Sequence, residues 1–231
     1  MTDLHGATAL GLGFILGLRH ALDADHLAAV STMVSEQPSL RSSGFIGLCW
    51  GFGHTATLLA VGLTVIALQI SVPEPVTQWF EVAVGGMLVF LGSSLAWRLW
   101  RQRWHAHPHE YGGGKHAHFH RHRADPSHGH AHWGKASVKP LLVGMIHGLA
   151  GSAALVVLVL ATVRTVWEGI VYVLVFGLGS IVGMTLLAAV LSLPLVLSVT
   201  VGRWAQVAVQ GLASVASVGL GFAIIAQQLR A

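Results

Sequence analysis

Two imidazoles and two carboxylates lie within one short run of the chain, His20-Ala21-Leu22-Asp23-Ala24-Asp25-His26. Nitrogen and carboxylate ligands without thiolates suit Ni(II), Co(II), Zn(II) or Cu(II) better than Ca(II) or Mg(II). The run lies inside an apolar segment, where a charge that faces lipid costs roughly 2.5–3.5 kcal/mol. The cluster is therefore predicted to face protein or water, to pair internally or to hold an ion, and its ligand types favour the ion. The alternative for part of it is a helix-orienting ion pair, for which Arg19 and Asp23 have i,i+4 spacing.

The geometry of this cluster depends on whether the helix that carries it is continuous. At about 100° per residue, His20, Asp23 and His26 share one side of a regular helix. Asp25 then lies on another side and faces a neighbouring helix. An interrupted helix would let Asp25 join the other three, and discontinuous helices are common where membrane proteins bind ions. The sequence leaves both geometries open.

Two further histidines are predicted to complete a metal site. His54 lies in the run Gly51-Phe52-Gly53-His54-Thr55, and His147 ends the run Gly144-Met145-Ile146-His147. A single histidine at membrane depth is often a hydrogen-bonded packing residue. Glycines beside both positions permit a close approach of helices, however. We therefore expect His54 and His147 to be ligands that other helices contribute.

The elements that must position these residues are membrane helices. The chain has 231 residues, of which 54% are hydrophobic and 10% are charged. A soluble domain carries about 25% charged residues, so the composition excludes one. The predicted fold class is an all-α integral membrane protein with six transmembrane helices, each meeting the need for about 20 apolar residues. The predicted spans are residues 4–30, 44–70, 76–100, 141–163, 170–193 and 204–225, with Pro194 ending the fifth.

The two halves of the chain resemble each other. Residues 17–22 align with 144–149, residues 53–55 with 183–185, and residues 82–86 with 207–211, at offsets of 127, 130 and 125 residues. Because three spans is an odd number, the second copy must be inverted in the membrane. The predicted organisation is a first three-helix repeat in residues 1–100, a loop in residues 101–139 and a second repeat in residues 140–231.

The loop between the repeats is rich in histidine. Pro108, Pro126 and the run Gly112-Gly113-Gly114 predict a flexible segment without a fixed fold. Neutral imidazoles bind metal, so we interpret the loop as a metal buffer or sensor, and the alternative is a solvated linker. Ten of the fifteen histidines lie here: His105, His107, His109, His116, His118, His120, His122, His128, His130 and His132.

The distribution of Lys and Arg predicts the orientation in the cytoplasmic membrane. The long loop and the span ends beside it carry most of these cations, whereas Arg164 and Arg230 flank the other side. Because Lys and Arg favour the cytoplasmic side, the histidine-rich loop is predicted to be cytoplasmic and both termini outside.

The run from His20 to His26 resembles the H-x4-D-H signature of the nickel/cobalt transporter superfamily. The run at His54 is similar to the second motif of this superfamily, and residues 148–153 are similar to its urease-accessory-type members. The resemblance implies a permease for a divalent metal, with His20, Asp25 and His26 as essential residues. The chain has Gly151-Ser152-Ala153 where longer members carry an acidic motif, which leaves the preferred metal and the direction open.

The leading hypothesis is therefore a secondary permease for Ni(II), with Co(II) or Zn(II) as other substrates and no organic cofactor. Uptake is the expected direction, and efflux is the alternative. A membrane enzyme with a histidine-bound metal is the third hypothesis. We expect the protein to be a transporter and not an enzyme. No phosphate-binding loop for ATP and no basic, aromatic face for nucleic acid is found in the sequence. The expected partners are the lipid bilayer and a cytoplasmic metallochaperone or nickel-enzyme maturation factors.

Overall fold

A computed structural model describes residues 2–36, 39–68, 73–102, 108–111, 114–117, 133–162 and 165–230. Within these ranges, helices and one short β-hairpin make up the regular structure. The elements are α1 (Thr2–His20), α2 (Ala24–Val34), α3 (Leu40–Leu68), α4 (Glu74–Gln102), β1 (Pro108–Tyr111), β2 (Gly114–Ala117), α5 (Trp133–Thr162), α6 (Val166–Val201) and α7 (Arg203–Gln228).

Four helices in the described ranges are long and apolar enough to cross a membrane, over Leu40–Val65, Glu74–Arg101, Trp167–Ser198 and Arg203–Gln228. Large apolar side chains cover the outer surface, whereas small polar side chains such as Ser192 and Ser217 are fully buried. This inverted pattern is typical of helix packing in membranes. The chain is accordingly a multi-pass membrane protein, and the number of six spans stays a prediction.

The first predicted span is two helices, not one. α1 ends at His20, and α2 begins at Ala24. In the turn between them, the backbone nitrogens of Leu22 and Asp23 donate to carbonyls three residues earlier, at 2.9 and 3.1 Å. Asp23 is extended, with φ −61° and ψ 147°, and its carbonyl starts the next helix by accepting from the Leu27 nitrogen. Asp23 thus occupies the N-cap position of α2, although its side chain makes no capping hydrogen bond.

The predicted end of the fifth span at Pro194 is wrong. α6 continues through Pro194 to Val201, and the interruption falls at Gly202, whose φ is 135°. Proline is tolerated inside membrane helices because neighbouring groups satisfy the freed backbone carbonyl. A positive φ favours glycine, so Gly202 is the residue that separates α6 from α7.

Glycines bring the backbones of neighbouring helices into contact. α1 packs on α6, α3 packs on α5 and α6, and α4 packs on α7. At several glycines of α1, α3, α5 and α6, an added Cβ would overlap a backbone carbonyl oxygen of the partner helix. These contacts join Gly17 to Phe176, Gly179 to Phe14, Gly144 to Trp50 and Gly53 to Leu141.

Glu36, directly after α2, connects three elements through ion pairs. Its Oε1 accepts a hydrogen bond from Arg98 Nη2 of α4 at 2.9 Å and another from Lys139 Nζ of α5. Burial raises the pKa of Glu36, but the hydrogen bonds and charges of Arg98 and Lys139 outweigh burial and hold the pKa below its ordinary value. Gln210 of α7 also donates to the Ser35 carbonyl at 2.9 Å. The end of α2 is thus tied to α4, α5 and α7.

The described part of the long loop consists of two short strands. β1 and β2 pair in antiparallel register, and His109 lies opposite His116. The flexibility of the loop as a whole stays a prediction. The remaining loop histidines lie outside the described residues: His105, His107, His118, His120, His122, His128, His130 and His132.

The substitution Gly17→Ala is expected to destabilise the protein, with Gly11→Ala as its matched control on the same helix. A methyl group at Gly17 would overlap the Phe176 carbonyl oxygen and lie 2.9 Å from the Ser180 nitrogen, whereas Gly11 has nothing within 4 Å. Overpacking of this kind costs about 1–3 kcal/mol. Thermal unfolding in detergent should show a lower Tm for Gly17→Ala alone, and equal Tm values for the two variants would contradict this packing.

The substitution Glu36→Gln is expected to cost about 2 kcal/mol at neutral pH, as for hydrogen bonds between charged groups. Because the pKa of Glu36 is lowered in the folded state, its stabilisation is present above the ordinary glutamate pKa. It is lost as pH falls through the folded pKa, so the wild type and the variant should converge in acid. Unfolding between pH 7 and pH 3 measures this, with Glu74→Gln as control. A difference that does not change with pH would refute the ion pairs.

Candidate metal centre

The break between α1 and α2 brings two histidines of the signature run together. His20 is the last residue of α1, and His26 lies in the first turn of α2. Their ring centroids are 4.7 Å apart, at an interplanar angle of 73°. A continuous helix would separate the two residues by about 9 Å along its axis. The break therefore converts two distant positions into one pair.

α3 adds a third imidazole to this pair. The Nε2 atoms of His20 and His54 are 3.1 Å apart, and the rings of His26 and His54 are 5.4 Å apart. One ring nitrogen from each of the three histidines lies within 4.8 Å of the others. Two imidazole nitrogens that share an ion at about 2.0–2.1 Å lie about 3 Å from each other, so this spacing suits a common metal ion.

α5 adds a fourth imidazole. The His147 ring centroid lies 4.9 Å from that of His26, and the His147 residue is only 2% exposed. Its Nδ1 donates to the Val143 carbonyl at 3.3 Å. This hydrogen bond leaves the lone pair on Nε2, which is the tautomer that a metal ligand requires.

The two carboxylates of the run lie in different places. Asp25 is 3.1 Å from His26 Nδ1 and 3.7 Å from His147 Nε2, through its two carboxylate oxygens. Asp23 accepts a hydrogen bond from His20 Nδ1 at 2.8 Å, and its side chain is 54% exposed. The break thus brings Asp25 into the cluster, which a regular helix would not do, and Asp23 orients the His20 ring.

Arg19 does not form the predicted ion pair with Asp23. In the described part of the chain, the Asp23 carboxylate binds His20 instead, and Arg19 is exposed in the last turn of α1. The physical reason is the break, which removes the i,i+4 geometry of a continuous helix.

The cluster contains buried ring nitrogens that have no hydrogen-bond partner among the described residues. They are Nε2 of His26, Nδ1 of His54 and Nε2 of His147, whereas Nδ1 of His26 is paired with the Asp25 carboxylate. A buried polar atom without a partner costs about 1–3 kcal/mol, so three of them in one cluster indicate a ligand-binding site. The donor set is imidazole nitrogen and carboxylate oxygen, which suits a divalent transition metal.

Trp50 is a residue of the centre that the sequence did not reveal. Its ring is fully buried and lies 5.1 Å from the His26 ring and 5.5 Å from the His147 ring. It precedes His54 by four residues and therefore shares its face of α3. The spacing of four residues from His54 was the only sign in the sequence that Trp50 belongs to the centre. A tryptophan in an apolar segment is otherwise read as a packing residue.

Comparison with known proteins agrees with this chemistry. The family model NicO, described as high-affinity nickel-transport protein, matches residues 6–229. The "Urease accessory protein UreH" of Bacillus sp. (strain TB-90) is 37% identical over 189 residues, which cover 82% of this chain and 78% of the relative. No solved structure matches the chain significantly.

Two more distant relatives match shorter segments. The "High-affinity nickel transport protein" of Cupriavidus necator is 33% identical over 89 residues, which cover 38% of this chain and 24% of the relative. The "Chloroplast protein FOR GROWTH AND FERTILITY 1" of Arabidopsis thaliana is 33% identical over 88 residues, covering 37% and 24%. Since the family model covers nearly the whole sequence, the chain belongs to the NicO family of high-affinity nickel-transport proteins, a family of transporters and not of enzymes.

Proposed function

We propose that this chain is a permease that takes up Ni(II), and Co(II) as a second substrate, across the cytoplasmic membrane. One observation carries the proposal: four imidazoles and a carboxylate converge where a helix is interrupted, and three of their ring nitrogens lack a hydrogen-bond partner in the described residues. The family and the relative from Cupriavidus necator, both named for nickel transport, support the same substrate.

In this proposal the transported ion exchanges water for nitrogen and oxygen ligands. Asp23 is a positioning residue, because it acts on the ion through the His20 ring that it orients. Interrupted membrane helices commonly carry such substrate sites near the midplane. The proposed ligands are the imidazoles of the cluster and the carboxylate beside them: His20, His26, His54, His147 and Asp25.

We also propose that the six spans form two inverted three-helix repeats. Reciprocal contacts support this: Gly17 lies against Phe176 as Gly144 lies against Trp50. The residues of one contact correspond to those of the other at offsets of 127 and 126 residues. The contacts of Gly53 with Leu141 and of Gly179 with Phe14 repeat the relation at the same offsets.

These offsets change one detail of the sequence alignment. An offset of 126 in place of 130 matches His54 with Ser180 and not with Met184. Ser180 is fully buried and donates to the Gly17 carbonyl at 3.3 Å. The proposed centre is therefore asymmetric, with ligands from α1, α2 and α3 of the first repeat and from α5 of the second. Movement of one repeat against the other would open it to alternate sides.

The histidine-rich loop and the partners follow from the same proposal. A cytoplasmic loop with ten histidines would hold nickel beside the inner end of the pathway. The relative from Bacillus is named as a urease accessory protein, which supports delivery of nickel to cytoplasmic maturation factors of nickel enzymes. Both termini are then outside, as the charges of the loops predict.

The substitution His26→Ala is expected to lower nickel transport by more than about 100-fold, because it removes a buried ligand. Asp23→Asn should lower it by about tenfold, since it loosens the orientation of His20 and leaves the ligands in place. Transport of radioactive nickel into proteoliposomes measures both variants.

The matched control for this prediction is His109→Ala, which removes an imidazole from β1 of the loop. It should transport nickel at the wild-type rate. Wild-type rates for His26→Ala, or equal losses for His26→Ala and His109→Ala, would show that the cluster is not the transport site.

Growth on toxic nickel determines the direction of transport. A strain that lacks an uptake permease accumulates less nickel and should grow better than its parent. Complementation with the wild-type gene should restore sensitivity, and complementation with the His26→Ala gene should not. A deletion strain that becomes more sensitive would establish efflux in place of uptake.

A further inference from the structure

Glu81 is a carboxylate at membrane depth that neither the sequence motifs nor the proposed ligand set includes. α4 crosses the membrane over Glu74–Arg101. Glu81 lies two turns inside this span, about 10 Å from its first residue at 1.5 Å per residue. Carboxylates inside membrane helices are rare, and they commonly mark ion pathways. Glu81 therefore needs a physical explanation.

Glu81 belongs to the face of α4 that packs against the protein. Val84, Leu88 and Leu91 follow it at i+3, i+7 and i+10, and they are 0%, 0% and 3% exposed. Phe90, half a turn around the helix from Glu81, is 68% exposed. The inner face of α4 contacts α2 and α7. The carboxylate is thus placed on the protein side of α4 and not on the lipid side.

No described residue neutralises Glu81. It forms no hydrogen bond or ion pair within the described ranges. The carboxylate of Asp25 lies in the first turn of α2, one of the helices against which α4 packs. Two like charges at membrane depth disfavour each other, because the surroundings screen them poorly. A divalent cation close to both carboxylates would relieve this repulsion.

Asp25 also connects Glu81 with the imidazole cluster. Oxygen atoms of Asp23 and Asp25 and a ring nitrogen of His26 lie within 4.8 Å of one another. The His26 ring is 2% exposed, and its Nε2 has no hydrogen-bond partner in the described part of the chain. Asp23, in contrast, is accessible, with 54% of its side chain exposed. Carboxylates thus extend from an accessible position to a buried nitrogen ligand.

We propose that Glu81, Asp23 and Asp25 form an acidic approach that holds a hydrated divalent transition-metal cation before the imidazoles bind it. The inference rests on the proposed function, since it concerns how the same ion reaches the same cluster. Carboxylate oxygens bind cations that still carry water, whereas buried nitrogens require the ion to lose it. Clustered negative charge also raises the local cation concentration and speeds association.

Stopped-flow mixing of the full-length protein with nickel chloride tests the approach. Trp50 lies 5.1 Å from the His26 ring, so nickel in the cluster should quench tryptophan fluorescence. The quenching phase that His26→Ala abolishes belongs to the cluster. Glu81→Gln should slow the association rate of this phase by about tenfold, at the lower limit of the effect of a focused field. The difference should shrink at high salt, and the dissociation rate should not change.

Glu74→Gln is the matched control, because Glu74 is an exposed carboxylate in the first turn of the same helix. It should bind nickel at the wild-type rate, and Glu81→Asp, which keeps the charge, should retain most of that rate. If Glu81→Gln does not fold, two other measurements test the acidic approach. They are the salt dependence of the wild-type association rate and the association rate of Glu81→Asp. A salt-independent wild-type rate overturns the approach.

Two outcomes separate this inference from the proposed function. A wild-type protein with no quenching phase that depends on His26 contradicts the proposed function itself. A phase that depends on His26 but has the same association rate in Glu81→Gln and the wild type contradicts only the acidic approach. A change confined to the dissociation rate also overturns it, because Glu81 would then hold the bound ion and not the approaching one.

Discussion

The interruption of the helix between His20 and Ala24 is the feature on which the candidate site depends. A break at membrane depth exposes backbone groups that lipid cannot satisfy. Here the turn satisfies part of them locally, through the hydrogen bonds of Leu22 and Asp23 and through the Asp25 carboxylate, which accepts from the backbone nitrogen of His26 at 2.9 Å. The same turn brings the rings of His20 and His26 together. Backbone satisfaction and assembly of the cluster thus have one cause.

The other imidazoles depend on close backbone packing. Association of helices in lipid lacks a hydrophobic driving force and relies on small residues that let backbones touch. Gly144 and Gly148 of α5 lie against the carbonyls of Trp50 and His54 in α3, and they flank His147 between them. This packing holds His147 beside the cluster even though its unpartnered nitrogen opposes burial. An ion that binds these nitrogens replaces the hydrogen bonds that they lack.

The sequence predicted the composition of the cluster better than its geometry. The run from His20 to His26 and the glycine-flanked His54 and His147 carried a clear signal, because polar residues inside apolar stretches are costly. The break in the helix carried no such signal, because helix propensity alone does not show whether Asp23 begins a new helix or continues the old one. The prediction that the fifth span ends at Pro194 failed because membrane helices tolerate proline. The end of α6 is instead set by Gly202, which has a positive φ. Glu81 lay in an apolar span, and its role became apparent only from its face of α4 and from the packing of α4 against α2, which carries Asp25.

The clustered imidazoles are proposed to bind nickel independently of the loop. Calorimetric titration of the full-length wild type and His26→Ala with nickel chloride separates the two kinds of binding. We expect one tight site per wild-type chain in addition to the weaker binding of the loop. We expect His26→Ala to lose the tight site and to keep the weak binding. Superimposable titrations of the two proteins would contradict the claim, because all of the bound nickel would then belong to the loop.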